Sequence, residues 1–99
     1  MTVIQSRQNA ALRHLARLGR EKKYRRSTGE MLCEGEKMLR EALASGTRVK
    51  TLLAREGWQD ALLDHAAEQG AVLYCAADAL FGLASDVETP QNVVFSCRQ

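Results

Sequence analysis

The chain has 99 residues, 45% of them apolar, with one proline and three cysteines, which suits one domain with its own core and opposes wholesale disorder. No apolar run approaches the ~20 residues that cross a bilayer, and the opening MTVIQSRQNA lacks the apolar core of a signal peptide. The net charge of +2 hides a polarity: residues 1–26 hold eight basic residues and one acid, a net +7, whereas residues 27–99 hold six basic and eleven acidic residues, a net −5.

Asn9 is placed to cap a helix running to about Leu18, with Ala11, Leu12, Leu15 and Leu18 recurring as its buried stripe. At about 100° per residue, Arg13, Arg17 and Arg20 gather on a different face, and Gly19 is expected to weaken or end the helix. The stretch from Arg20 to Gly29 is too polar to pack and reads as an exposed loop or a frayed helical end. Within it Lys22, Lys23, Arg25 and Arg26 surround Tyr24. An aromatic ring among cations suits stacking on an unpaired base while its neighbours meet phosphates.

A short strand follows over Glu30–Glu34, and a helix begins near Gly35. A carboxylate at such a junction can accept backbone N–H bonds, and glycine lets the chain turn. Met38, Leu39, Ala42 and Leu43 give that helix a core face, and Gly46 suits its C-terminal cap. Next come a strand over Val49–Ala54 and a helix whose inner face is Trp58, Ala61, Leu62, His65 and Ala66, closed by Gly70. The remainder reads as a strand over Ala71–Cys75, a short helix over Asp78–Leu83, a loop over 85–92 and a last strand over Val93–Cys97. Strict alternation of helix and strand predicts a single three-layer α/β/α domain with a four-stranded, largely parallel sheet.

The chemistry-bearing residues are sparse. Cys33, Cys75 and Cys97 form no CxxC pair and read as small buried hydrophobes in a reducing, cytoplasmic setting. His14 and His65 fall on separate helices, and no GxSxG, HExxH, Walker or GxGxxG pattern occurs. Asp60, Asp64 and Glu68 recur every four residues, the mark of a solvated helix face. No catalytic residue and no metal site is expected. What stands out is the basic pole, which calls for a polyanionic partner, RNA or DNA. It lacks recognition-helix or zinc-finger spacing, so a reader of the duplex major groove is disfavoured.

Several separated pieces carry a resemblance: Ile4-Gln5-Ser6-Arg7-Gln8-Asn9; Leu15 and Leu18; the cluster Lys22 to Arg26 with Gly29; Leu32-Cys33-Glu34-Gly35 with Leu39, Glu41 and Ala42; then Phe81, Leu83, Ser85 and Thr89-Pro90-Gln91-Asn92-Val93-Val94. In that order they resemble the N-terminal substrate-binding domain of SpoU-type (TrmH-like) RNA 2′-O-ribose methyltransferases, over nearly the whole chain. The resemblance implies a small α/β/α domain similar to ribosomal proteins that grip kinked RNA. It implies a larger catalytic domain after residue 99, with a knotted S-adenosylmethionine site, so that no cofactor belongs to these residues and dimers form mainly through that later domain. It implies an rRNA or tRNA partner and no membrane, places Ser6, Arg7, Asn9, Lys22, Arg25 and Arg26 on the RNA-facing side, and puts Glu34 and Gly35 at the strand–helix junction. Charge pattern adds Arg13, Arg17, Arg20, Lys23 and Tyr24 to that side. Asn92 stands where the family usually has glycine, and asparagine tolerates a left-handed backbone well. Cys33 stands where the family usually has valine or a similar residue, which a buried strand also accepts. Two other readings stay open: a stand-alone RNA-binding protein of ribosomal type, and an adaptor whose basic pole meets an acidic protein.

Overall fold

Ten elements follow one another among the described residues: β1 (Thr2–Val3), α1 (Ala10–Arg20), α2 (Lys22–Thr28), β2 (Glu30–Glu34), α3 (Glu36–Ser45), β3 (Val49–Arg55), α4 (Ala61–Glu68), β4 (Val72–Ala76), α5 (Asp78–Phe81) and β5 (Val93–Arg98). The computed structural model describes every residue except 86 and 89. Thr89, one of the residues that carry the family resemblance, therefore lies outside the described residues.

The α/β class read from the sequence is borne out. The sheet has five strands rather than four, in the order β1-β4-β3-β5-β2. β1 pairs in parallel with β4, and β4 with β3, whereas β5 runs antiparallel to both of its neighbours, β3 and β2. Four strands thus share a direction and β5 alone opposes them. The two-residue β1 escapes the sequence pattern because Thr2-Val3 is too short to show an alternation. Burial explains the order. β5 is buried along Val93–Cys97 and has a strand on each side, whereas β2 is only partly buried at Met31, Leu32 and Glu34 and forms one edge.

The sheet separates two cores. On one face, α3 and α4 set Leu39, Leu43, Leu63 and Ala66 against Leu52, Ala54, Val93 and Phe95. On the other, Ile4, Leu12, Leu15, Leu18 and Phe81 pack against Leu53, Ala76 and Val94. Successive residues Leu52/Leu53 and Val93/Val94 face opposite cores, as the period of two in a strand requires.

Three helical expectations change. α1 passes through Gly19 and ends at Arg20. A Cβ on Gly19 would lie 3.1 Å from Leu32 Cδ2, so this glycine serves close packing of α1 on β2. The segment expected as a loop or frayed end forms α2, which has no fully buried residue and closes on Gly29 in the left-handed conformation (φ 70°). Its polarity concealed it; tertiary contacts through Tyr24 and Arg25 hold it in place. His65 is exposed, because α4 begins at Ala61, where Asp60 Oδ1 accepts the Leu62 N–H at 2.9 Å, and buries Leu63 and Ala66 instead.

The junction read at Glu34-Gly35 ties two distant parts of the chain together. Glu34 Oε2 accepts from Ser85 Oγ at 2.5 Å and from the Gln91 N–H at 3.3 Å. Asn92 Nδ2 donates to Glu36 Oε1 at 2.6 Å, and the Gly35 N–H donates to the Val93 carbonyl. Gly35 itself has φ 106° and ψ 155°, a region close to glycine-only. Gly35→Ala should cost about 1–3 kcal/mol of stability, read as a lower urea midpoint at unchanged slope. A loss too small to move that midpoint would show that the junction relaxes freely.

Candidate nucleic-acid interface

The turn before α1 is built by residues the sequence pointed to. Ser6 Oγ accepts the Gln8 N–H at 3.1 Å, the Ser6 carbonyl accepts the Asn9 N–H, and Asn9 Oδ1 accepts the Leu12 N–H at 3.0 Å. Ser6 and Asn9 therefore shape the entry to α1, and Arg7 stands exposed on the turn between them. Leucine burial then sets the rotation of α1 about its own axis. With Leu12, Leu15 and Leu18 locked into the core, helical geometry turns Arg13, Arg17 and Arg20 outward.

Arg7, Arg13, Arg17 and Arg20 line one open cleft of about 460 Å³ together with Gln8, Glu21 and Leu83, over the buried Leu12 and Ala16. Leu83 reaches it from the turn after α5, far along the chain from α1. The Arg13–Arg17 ridge also borders a smaller hollow of about 240 Å³, shared with His14 and Tyr24.

Arg17 is the most engaged of these cations. Its Nε and Nη2 donate to the Glu21 carboxylate at 3.1–3.3 Å, and its Cζ lies 3.9 Å from the Tyr24 ring centroid. The hydrogen bond between Arg17 and Glu21 raises the Arg17 pKa and lowers that of Glu21. Both side chains are exposed, so the pair is weakly held and open to exchange with another anion. Tyr24 is half-buried: besides Arg17 on its ring, its hydroxyl lies 2.6 Å from His14 Nδ1. Arg25 is half-buried as well, its Nη1 donating to the Leu18 carbonyl at 2.7 Å near the end of α1. Arg7, Arg13, Arg20, Lys22, Lys23 and Arg26 are solvent-accessible and form no ion pair among the described residues.

A network beneath α1 and α2 went unread in the sequence. His14 Nε2 lies 3.1 Å from Glu30 Oε1, and Lys50 Nζ lies 3.6 Å from Glu30 Oε2. Ser96, fully buried, hydrogen-bonds the same carboxylate and accepts the Thr51 N–H at 3.1 Å where the register between β3 and β5 shifts. Burial works to raise the Glu30 pKa, but hydrogen bonds from His14 and Ser96 and the charges of His14 and Lys50 outweigh it and leave it below the ordinary value. The chain Tyr24–His14–Glu30 therefore anchors the two basic helices to the sheet. Alternate polar residues in neighbouring elements were the signal, but only the fold shows that they meet.

The buried cysteines follow the sequence reading: Cys33 and Cys97 have sulfurs 3.8 Å apart, and burial pushes the Cys97 thiol up to about 12. Cys75 is half-buried. Among the described residues no group of three or more His, Cys, Asp or Glu is placed to hold a metal, and no helix is long and apolar enough to cross a membrane.

Residues 9–94 match the MRM3-like substrate binding domain. The chain belongs to that family. The family bears out the resemblance to the substrate-binding domain of SpoU-type enzymes drawn from the N-terminal and later motifs. Solved structures share the fold. An rRNA methyltransferase from Sinorhizobium meliloti superposes with a TM-score of 0.86 at 22% identity, over 99% of this chain and 37% of that one. A protein described as an RNA 2′-O ribose methyltransferase gives 0.79 at 26% identity, over 98% and 37%. The SpoU methyltransferase AviRb from Streptomyces viridochromogenes, in complex with AdoMet, gives 0.71 at 21%, over 92% and 33%. The chain thus spans about a third of the length of these proteins. No curated protein matches the sequence. AdoMet carries a sulfonium cation, and a cleft rimmed by four arginines against one carboxylate, Glu21, opposes it by its net positive charge. No step involving that cofactor is assigned to these residues.

Proposed function

We propose that this chain is the RNA-recognition domain of a SpoU-type RNA 2′-O-ribose methyltransferase, whose AdoMet-dependent catalytic domain lies elsewhere in a longer protein. The chain docks the RNA by its phosphates on α1 and α2 and so presents a ribose 2′-hydroxyl to that domain. The observation that carries the reading is the convergence of Arg7, Arg13, Arg17 and Arg20 on one cleft in a member of a substrate-binding family. Arginine matches phosphate oxygens in paired hydrogen bonds, and an exposed guanidinium loses little hydration on the exchange. The family and the shared fold with RNA and rRNA methyltransferases support an RNA substrate, and the coverage of about a third supports a separate catalytic part.

The rigid base under the site supports docking rather than turnover. Leu12, Leu15 and Leu18 fix α1 to the sheet, and Tyr24–His14–Glu30 fixes α2 to α1. The isolated chain binds RNA weakly and methylates nothing. With about four cations on phosphate, log K against log salt should slope at about −3 for a single-stranded target. Fluorescence anisotropy across roughly 50–200 mM salt measures it. A slope near zero would remove the phosphate-docking role.

A further inference from the structure

We propose that the hollow bordered by Gln8, Arg13, His14, Arg17 and Tyr24 seats one backbone phosphate of the RNA, and that binding there takes up a proton at His14. The proposal rests on the RNA-docking reading and deepens it by naming one seat and what regulates it. Ala10, Arg13, His14 and Arg17 recur at i, i+3, i+4 and i+7 and share one stripe of α1, to which α2 adds Tyr24 and the preceding turn adds Gln8. Among the described residues no carboxylate borders this hollow, whereas Glu21 borders the wider cleft. Arg17 covers the Tyr24 ring, so the hollow is offered the Tyr24 hydroxyl rather than the face of the ring.

The His14 ring is held at both nitrogens: Nε2 lies 3.1 Å from Glu30 Oε1, and Nδ1 lies 2.6 Å from the Tyr24 hydroxyl. The Glu30 carboxyl sits below its ordinary pKa, so near neutrality it is ionised and only accepts, and Nε2 carries the hydrogen. Nδ1 is therefore the nitrogen that gains or loses a proton. The neutral ring accepts the Tyr24 O–H there. Protonation reverses that bond: the Nδ1–H donates to the Tyr24 oxygen, and the Tyr24 O–H turns outward to donate to an anion in the hollow. One proton thus places a positive charge at the hollow and frees a donor on its wall. A phosphate diester is anionic and accepts hydrogen bonds, and it gains from both. The charged groups around His14 are Arg13 and Arg17 on α1, Glu30 on β2 and, on the far side of Glu30, Lys50 on β3; Tyr24 on α2 is the remaining titratable neighbour. Of these side-chain types histidine alone ordinarily changes charge between about pH 5 and 8. His65 supplies a control, because it lies exposed on α4 across the sheet and contacts Gln69.

The test measures the anisotropy of a hairpin RNA with a single bulged nucleotide, titrated with the 99-residue chain at fixed salt. Affinity should rise about 3-fold from roughly pH 8 to pH 6, the value of one added charge several ångströms from a phosphate in a water-like dielectric. Calorimetry in two buffers of different ionisation heat should register proton uptake on binding. His65→Gln should keep both effects. His14→Gln, which retains an amide donor for Glu30, should lose both, whereas any contribution of His65 or of the α-amino group would survive in it. Tyr24→Phe keeps a ring for Arg17 and should shrink both effects; the full pH dependence in that variant overturns the seat, since the hydroxyl would then not meet the phosphate. Should His14→Gln unfold, the ring ¹⁵N signals of the parent chain decide: at constant pH, RNA should move His14 Nδ1 toward its protonated position, and no movement overturns the proposal. Flat affinity across the pH range, with the salt slope of about −3 intact, overturns the seat and leaves RNA docking standing. Absence of binding at every pH overturns both.

Discussion

Replacing Arg13, Arg17, Lys23 and Arg26 together by glutamate should remove most of the proposed RNA binding while the domain stays folded. The four changes replace four positive charges by four negative ones on α1 and α2, so the pole proposed to attract phosphate would repel it. Each lost phosphate contact removes about one unit from the salt slope of binding and weakens all sequences alike; four such losses with reversal should weaken binding about 100-fold or more near physiological salt. The fold is spared for a structural reason. All four side chains reach solvent, and the leucines behind them are untouched. Arg17 gives up its contacts with Glu21 and Tyr24, but the Tyr24–His14–Glu30 chain that fixes α2 remains. The decisive measurements are anisotropy with a bulged hairpin and far-UV circular dichroism on the same sample. Unchanged affinity in a folded variant would discard this face. Arg25 is left out of the set because its guanidinium braces the Leu18 carbonyl, so reversing it would confuse fold with binding.

Leu15→Ala is the second large effect, and it acts through the platform rather than the charges. Leu15 is fully buried at the centre of the α1 face, packed in the cluster with Leu12, Leu18, Leu53 and Val94. Truncating such a leucine removes its transfer energy and leaves a cavity, at a cost of about 2–5 kcal/mol. A domain of this size holds about 5–15 kcal/mol in all, so the melting temperature should fall by on the order of 10–30 °C. Because the arginines stand on the same helix, RNA affinity at low temperature should stay near that of the parent chain, and it should collapse only as the variant unfolds. Thermal melts with and without a bulged hairpin separate the two effects. A variant that melts within a few degrees of the parent would show that α1 is not held by this stripe.

Local signals in the sequence were sufficient for much of this protein. The Asn9 cap, the leucine stripe, the Gly35 junction, the Gly46 cap and the clustering of cations are all short-range patterns, and periodicity or side-chain chemistry reveals them without neighbours. The hidden features were of two kinds. β1 and α2 are too short or too polar to show a stripe of their own, and they exist because other elements hold them. The pairing of residues far apart in the chain was the other kind.

From sequence alone came the α/β class, most elements, the family and the polarity of charge, since each is written in residues near one another. Only the tertiary structure decided that β5 runs backward between β3 and β2, that Arg25 and Tyr24 turn inward, and that Leu83 meets Leu12 and Ala16 under four arginines. Which surfaces meet depends on the simultaneous burial of two apolar faces of one sheet, a condition on the whole chain that no window of it contains.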